Sequence, residues 1–489
     1  MIRCSRKKPP GFETFLFLPL ALLFLSACSG PRTPQLITVQ PREKQNVVIL
    51  LFDALRASNL GCYGASPSPS PTMDSLAEDG IVFEHCYSQA TWTTPSVATI
   101  FTGYLPGVHE CGLSETKGSV EIRPLRPSFV TVAEQFQSSG YKTGAFIGNS
   151  LCERGFDQGF DGFKVVNQWP AEEHAKEVCD WLDACSKEAT GRPVFLWVHF
   201  WLPHYYRPDH DKPYVAPDQF YQALYKDTGP PLTDNDKRIV AQLANVLRAR
   251  LKNEGYDGLY MKDLSPAGKE AVRRAYNSNV LYADQACLKP LVEKLRELQM
   301  MDNTLLAIVA DHGEELFDHG EFGHHLGRLY DEAMRVPLIL YSPGMTPARI
   351  QNWSSLADIG PTVLTLSKIR PIESQARSIF SADGILLPVN RFVFTECYNS
   401  VDDDSLTVQY KGEKLIFHVQ GNLWESFDLT EDPMETNGAA PLQSLSMMQS
   451  RLLEKLAEDK ELRQRFGPVS SEKIDADMQE QLRSLGYLH

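Results

Sequence analysis

A chain of 489 residues, 43% hydrophobic and 22% charged, with no repeat or long low-complexity tract, reads as a globular protein of two or three domains. Acidic residues outnumber basic ones, 62 to 48, which excludes nucleic acid and anionic membrane surfaces as broad partners. An anionic substrate stays possible, because local metal and histidine charges decide what a pocket accepts.

Arg3, Arg6, Lys7 and Lys8 precede an apolar run over residues 15–25, too short to span a bilayer comfortably. It ends in Leu25-Ser26-Ala27-Cys28, the pattern of a bacterial secretion signal whose small residues resemble a lipoprotein lipobox. The expectation is a signal peptide over 1–27, acylation of Cys28 and a proline-containing tether over 28–44. The mature protein is then anchored in the bacterial cell envelope by lipid alone, and Ser29 resembles the residue that sends Gram-negative lipoproteins to the outer membrane. An ordinary signal peptide followed by a coincidental cysteine is the alternative. Eight cysteines remain beyond Cys28 without a C-x-x-C pair, which argues against a zinc ribbon or thioredoxin-like motif. Secretion permits disulfides but assigns none.

Residues 46–52 (NVVILLF) form an apolar run typical of a buried parallel strand, and it delivers Asp53 at its carboxyl end. Gly61, Gly64 and the Ser/Pro alternation over 66–71 read as loop, 73–78 as a short helix closed by Gly80, and 81–83 as strand. At 90–103 the chain reads ATWTTPSVATIFTG. Proline is preferred at the first helical position and threonine at the N-cap, so Pro95 is expected to start a helix with Thr94 as cap and Thr93 in front. A helix N-terminus is a seat for an anion, and a hydroxyl there can attack a bound phosphate or sulfate if a metal lowers its pKa. The plainer expectation is that both threonines only cap the helix.

Phe129, Val132, Ala133 and Phe136 at helical spacing predict a helix ended by Gly140, followed by a strand over 142–147 and an amphipathic helix over 171–185. Residues 194–200 (VFLWVHF) are the next buried strand and lead through Leu202-Pro203 to His204. Residues 207–265, broken by prolines, read as an insertion of the kind that shapes substrate access, with a charged helix over 234–252. A long helix is expected over 266–298, then an apolar strand over 304–310 that stops abruptly at Asp311-His312-Gly313. From 311 to 325 the chain reads DHGEELFDHGEFGHH, and nine of these fifteen residues titrate. A carboxylate beside an imidazole suits a divalent metal, and Gly313 lets the backbone turn sharply there. A solvated acidic loop is the bland alternative.

Three strand ends carrying Asp53, His204 and Asp311-His312 are expected to converge on one crevice, where open α/β sheets keep their ligands. Further on, 336–341 reads as strand and 358–366 as helix. Short strand-like runs between 391 and 428 predict a small antiparallel sheet, 444–466 is helical, and 478–487 is expected to pack back on the body.

Taken in order, DALRASNLGCYG from Asp53, Thr93-Thr94-Pro95-Ser96, Pro203-His204 and Ala310-Asp-His-Gly-Glu314 resemble the sulfatase-like enzymes of the alkaline phosphatase superfamily. So do Arg335-Val-Pro337, Phe427-Asp-Leu-Thr-Glu-Asp-Pro433 and Leu485-Gly-Tyr487, and the likeness covers residues 46–487. The resemblance implies an α/β/α sandwich over 45–384 and a smaller carboxyl-terminal α/β domain over 385–489 containing a short antiparallel sheet. It implies one divalent ion (Mn, Mg, Zn or Ca) on Asp53, Asp311, His312 and Thr93, with Thr93 at the nucleophile position. His204 would face the leaving group or substrate oxygens. A second such histidine is His324 by its Phe322-Gly323 context, or His325 by its distance to Leu329-Tyr330.

The chain departs from sulfatases where they carry a formylglycine precursor and an Arg four residues later: here stand Thr93 and Val97. Threonine cannot become formylglycine, so none is expected. The usual paired Asp after the first strand is reduced to Asp53-Ala54. A threonine with Asp-His is similar to lipoteichoic acid synthase and phosphoethanolamine transferases. Three readings follow: a metal-dependent hydrolase or transferase of phosphate esters through a covalent Thr93 intermediate, a sulfatase without formylglycine, and an inactive envelope lipoprotein of this fold. The substrate would be a small-molecule, glycan or lipid ester.

Overall fold

The computed structural model describes residues 37–116, 119–166, 170–188, 190–204, 214–226, 229–240, 263–324, 328–388, 391–397 and 404–473. Cys28, His325 and the tail over 478–487 lie outside the described residues.

The first strands are β1 (Asn46–Asp53), β2 (Ile81–Tyr87), β3 (Gly112–Thr116), β4 (Ser119–Arg123), β5 (Lys142–Ile147) and β6 (Gly162–Val165). They are followed by β7 (Val194–Pro203), β8 (Thr304–Ala310), β9 (Glu315–Leu316), β10 (Phe322–Gly323), β11 (Arg335–Val336), β12 (Leu338–Tyr341) and β13 (Ala348–Ser355). A nine-stranded mixed sheet runs in the order β11-β2-β12-β8-β1-β7-β5-β6, with β13 also paired to β2. Strands β8, β1, β7, β5 and β6 are mutually parallel, and β12 joins β8 antiparallel. Every residue of β1 and β8 is buried, as apolar runs require when helices cover both faces. Phe52 lies opposite Ala310 on one side and Phe200 on the other, so the residues after these strands emerge side by side.

Two helices away from the strand ends differ from the sequence expectation. The 266–298 helix is divided into Pro266–Tyr282, a π-helical segment Ala283–Leu288 and Lys289–Glu297. Pro290 cannot donate to the turn before it, and the wider π segment absorbs that break. Its Asp284 accepts from the Thr72 and Met73 amides and so caps the helix Pro71–Glu78. The helix expected to contain Phe129 begins only at Val132, because Thr131 and Glu134 form a reciprocal capping box.

The carboxyl-terminal sheet is a meander of β14 (Val393–Cys397), β15 (Ser405–Tyr410), β16 (Glu413–His418) and β17 (Leu423–Asp428). A short β18 (Glu472–Lys473) pairs with β4. The helix Leu445–Arg465 puts Met448 and Leu452 against Leu406, Val408 and Leu415 of the meander. Among the described residues, the eight cysteines beyond Cys28 form no disulfide. Among the described residues, no helix is long and apolar enough to cross a membrane.

Lys414 of β16 is fully buried and lies 2.5 Å from Glu435 and 3.3 Å from Asp331. Removing the cation alone leaves buried carboxylates uncompensated, at a cost of about 3–5 kcal/mol. Lys414→Met should therefore lower stability by that amount in chemical denaturation, and a loss under about 1 kcal/mol would contradict this burial.

Candidate active site

Four adjacent parallel strands bring polar residues to one edge of the sheet, and the centre of the arrangement is fully buried. Asp53, Thr93, Asp311 and His312 all have no solvent exposure. Ala54, immediately after Asp53, takes a left-handed conformation at φ 58°. For a residue with a side chain this stores strain on the order of 1–3 kcal/mol. It is offset by two contacts: the Ala54 amide donates to Asp311 Oδ1 at 3.1 Å, and its carbonyl accepts from Tyr276 at 2.8 Å. The strained turn locks the end of β1 onto the end of β8.

His312 supplies the focus. Its Nδ1 lies 2.8 Å from the Gly313 carbonyl and donates to it, which leaves Nε2 as the nitrogen facing the crevice. Around Nε2 stand Asp53 Oδ1 at 3.5 Å, Asp311 Oδ2 at 3.6 Å and Thr93 Oγ1 at 3.5 Å. These distances are too long for good hydrogen bonds. They are right for donors sharing one ion, since bonds of ~2.0–2.2 Å in a tetrahedral set separate neighbouring donors by ~3.4 Å. Asp53 Oδ1 and Asp311 Oδ2 are buried without a hydrogen-bond partner. The residues present thus fit a divalent ion. Burial works against charge on Asp53, yet His204, His199 and His312 hold its carboxyl well below the usual range. Burial, together with the Asp53 charge, raises the Asp311 carboxyl. Burial opposes charging of His312, while Asp311 and Asp53 raise its pKa, so even a proton is drawn to the spot.

Thr93 reaches this point by a helix that starts earlier than its proline signals. The helix runs Thr93–Thr102 with extended Trp92 as N-cap, so Thr94 is not the cap and Thr93 belongs to the first turn. Proline lacks an N–H, and the first turn does not use those donors, so Pro95 is tolerated at the third helical position. No side chain caps the first turn, and Ser96 instead holds the helix start from inside. Its hydroxyl reaches the Trp92 carbonyl at 2.8 Å and Ser88 Oγ at 2.9 Å, and Ser88 in turn bonds the Asp311 carbonyl. The helix start is thereby tied to the end of β8. Gly313 also has a reason other than turning: an added Cβ would sit 2.0 Å from the Glu332 carbonyl oxygen.

His204 is buried beside this centre, where burial pushes its imidazole down to about 4. The His324 ring lies 4.9 Å from His204 and 4.4 Å from His312. The structure therefore gathers Asp53, Thr93, His204, Asp311, His312 and His324.

Two neighbours escaped the sequence reading. Asn149, just past β5, donates to Asp53 Oδ2 at 3.0 Å and to Thr93 Oγ1 at 3.3 Å. A polar residue after the apolar run over 142–147 was the signal available. His199, inside β7, places Nε2 3.4 Å from Asp53 Oδ2, and neither ring nitrogen has a hydrogen-bond partner. Donor atoms of Asp53, His199 and Asp311 lie within 4.8 Å of one another, a second grouping that could hold a metal. The two groupings share Asp53 and Asp311, and the one around His312 Nε2 adds Thr93. A lone histidine in an apolar strand, as at position 199, was the signal there.

An N-acetylglucosamine-6-O-sulfatase of Bacteroides thetaiotaomicron is 23% identical over 526 aligned positions, covering 91% of this chain and 90% of that protein. Among solved structures, a 2-O GAG sulfatase superposes with a TM-score of 0.67 at 18% identity, over 91% of this chain and 98% of the other. The phosphonate monoester hydrolase of Agrobacterium radiobacter gives 0.61 at 18%, over 88% and 97%. These likenesses agree with the α/β/α architecture described above. The sulfatase family model matches residues 45–369, which hold the whole His312-centred cluster, and the chain belongs to the sulfatase family.

Proposed function

We propose that this chain is a divalent-metal-dependent hydrolase or transferase of phosphate esters, working through a covalent intermediate on Thr93. The observation that carries this reading is the position of Thr93 Oγ1, 3.5 Å from His312 Nε2 and 3.3 Å from the Asn149 amide, on the first turn of a helix. Asp53, Asp311, His312 and Thr93 are the residues that would hold the ion. When bound, a divalent ion supplies a Lewis acid that lowers the pKa of a neighbouring hydroxyl and offsets charge on the transferred group. The imidazole in the donor set favours zinc or manganese over calcium, which prefers oxygen ligands.

In the first step Thr93 Oγ1 bonds to phosphorus as the bond from phosphorus to the ester oxygen breaks. The Thr93 proton passes through an imidazole of His204 or His324 to the leaving alcohol oxygen. In the second step water or an acceptor alcohol attacks phosphorus and gives up its proton, and Thr93 Oγ1 leaves and is reprotonated. The helix N-terminus offers its N–H groups to the oxygens of the transferred group. A single oxygen on Thr93 suits this in-line displacement. Sulfate-ester hydrolysis is the second reading, favoured by the named activity of the N-acetylglucosamine-6-O-sulfatase. It makes a sulfated glycan the substrate and requires water to attack sulfur directly.

We also propose that residues 45–384, with the insertion over 207–265, form the catalytic body and 385–489 an accessory subdomain. Cleavage before Cys28 and acylation there would place the enzyme on the cell envelope, acting on small-molecule, glycan or lipid esters.

Three outcomes are expected. In a metal-replete screen of matched phosphate monoesters, phosphate diesters and sulfate esters, a phosphate substrate turns over fastest, and Thr93→Ala lowers kcat by at least ~10³-fold. A faster sulfate ester moves the reading to sulfatase, while full activity of Thr93→Ala removes the covalent mechanism. Zinc or manganese at about 100 times its Kd adds ~2.7 kcal/mol to stability, seen as a raised Tm, and Asp53→Asn or Asp311→Asn abolishes that gain. Mass spectrometry of the mature amino terminus finds a diacylglyceryl group on Cys28; an unmodified terminus elsewhere rules the anchor out.

A further inference from the structure

The acidic stretch after β8 folds into a hairpin in which β9 and β10 pair Leu316 with Phe322 and Glu315 with Gly323. One step further along the same register, Glu314 comes opposite His324. Their side chains meet: Glu314 Oε1 lies 3.0 Å from His324 Nδ1, and both side chains are fully buried. The tip of the hairpin is fastened independently. Asp318 takes both terminal guanidinium nitrogens of Arg56, at 2.8 and 3.3 Å, and His319 lies 2.5 Å from Glu332. On the opposite side, the Gly313 and Glu314 amides donate to the Ala333 and Glu332 carbonyls at 2.8 and 2.9 Å. The hairpin backbone is thus held without Glu314's carboxyl, which is not needed for closure and is turned to the ring beside His204 and His312.

We propose that Glu314 is a positioning residue that acts through His324. Accepting the Nδ1–H of His324 fixes the tautomer and the rotation of that ring, so that Nε2 addresses the ester group undergoing transfer. An imidazole free to rotate or to change tautomer would spend only part of its time in that geometry. The same logic governs histidines oriented by a carboxylate at other catalytic centres. The inference rests on the reading of His324 as a substrate-facing histidine.

The test compares full-length, metal-replete protein with Glu314→Gln, Glu314→Leu, His324→Gln and the double variant Glu314→Leu/His324→Gln, assayed on the best ester from the paired screen. Gln keeps an acceptor for Nδ1–H, so Glu314→Gln stays within about threefold of the parent kcat. Glu314→Leu loses at least ~10-fold in kcat with KM little changed, and the double variant is no slower than His324→Gln alone. Independent losses that multiply in the double variant overturn the proposal and leave the reading of His324 intact. Full activity of His324→Gln overturns both. A readout without turnover uses histidine ¹⁵N resonances of the folded parent protein. The proposal expects His324 protonated on Nδ1 in the parent and in Glu314→Gln, and a bare Nδ1 in the parent overturns it even if Glu314→Leu does not fold.

Discussion

Asp53 and Asp311 end neighbouring parallel strands without solvent exposure, and two like charges buried side by side are costly unless a cation lies between them. Much of the surrounding structure answers that constraint. The Ala54 and His312 amides both turn to Asp311 Oδ1, and Asn149 turns to Asp53 Oδ2. Each carboxylate keeps one oxygen back, and those two oxygens face the same imidazole nitrogen. Protein donors satisfy half of each carboxylate, and the other halves define a point where positive charge belongs.

Thr93 is brought to that point by an economical set of contacts. A helix start needs a cap, and Trp92 has no side-chain acceptor to give. Ser96 leaves the first-turn N–H groups uncapped, but its hydroxyl donates to the Trp92 carbonyl and, through Ser88, connects the helix to the carbonyl of Asp311. The hydroxyl and the carboxylates are therefore parts of one hydrogen-bonded frame. A motif of the form Thr-x-Pro-Ser is then intelligible residue by residue: Thr points into the crevice, Pro uses an idle donor position, and Ser ties the turn.

The central strands were legible because an apolar run seven or eight residues long has few alternatives when it stops at an acid or a histidine. Asp53, His204 and Asp311-His312 stood out in this way, and the parallel order of β8, β1 and β7 puts them together. Asn149 was less visible, since Gly148 separates it from its strand and an asparagine there resembles any loop residue. His199 was hidden inside a strand read as core. The start of the Thr93 helix was misplaced because proline is a strong local signal, while the Ser96–Ser88 contact that ties the first turn to the end of β8 is tertiary. Likewise the sequence shows Pro290 but not the π segment that accommodates it. The Val132 start, by contrast, was set by a local capping box of Thr131 and Glu134 that the apolar spacing had overshadowed.

The fold itself does not choose between sulfur and phosphorus, since a 2-O GAG sulfatase and a phosphonate monoester hydrolase both superpose on this chain. The choice falls to charge and to the nucleophile. Two carboxylates and one divalent ion would leave the centre close to neutral, and Val97 stands where sulfatases carry an arginine. Burial pushes the His204 imidazole down to about 4, so it adds no fixed positive charge near physiological pH. A near-neutral site has little with which to compensate the second charge of a phosphate monoester, whereas a singly charged ester is a better match. Sulfate monoesters and phosphate diesters share that charge. Between them, a Thr93 nucleophile as proposed would favour phosphorus, because a phosphorylated threonine can be released by in-line attack and a sulfated one has no second hydroxyl to expel sulfate. On the proposed reading, the charge balance and the nucleophile together favour a phosphate diester.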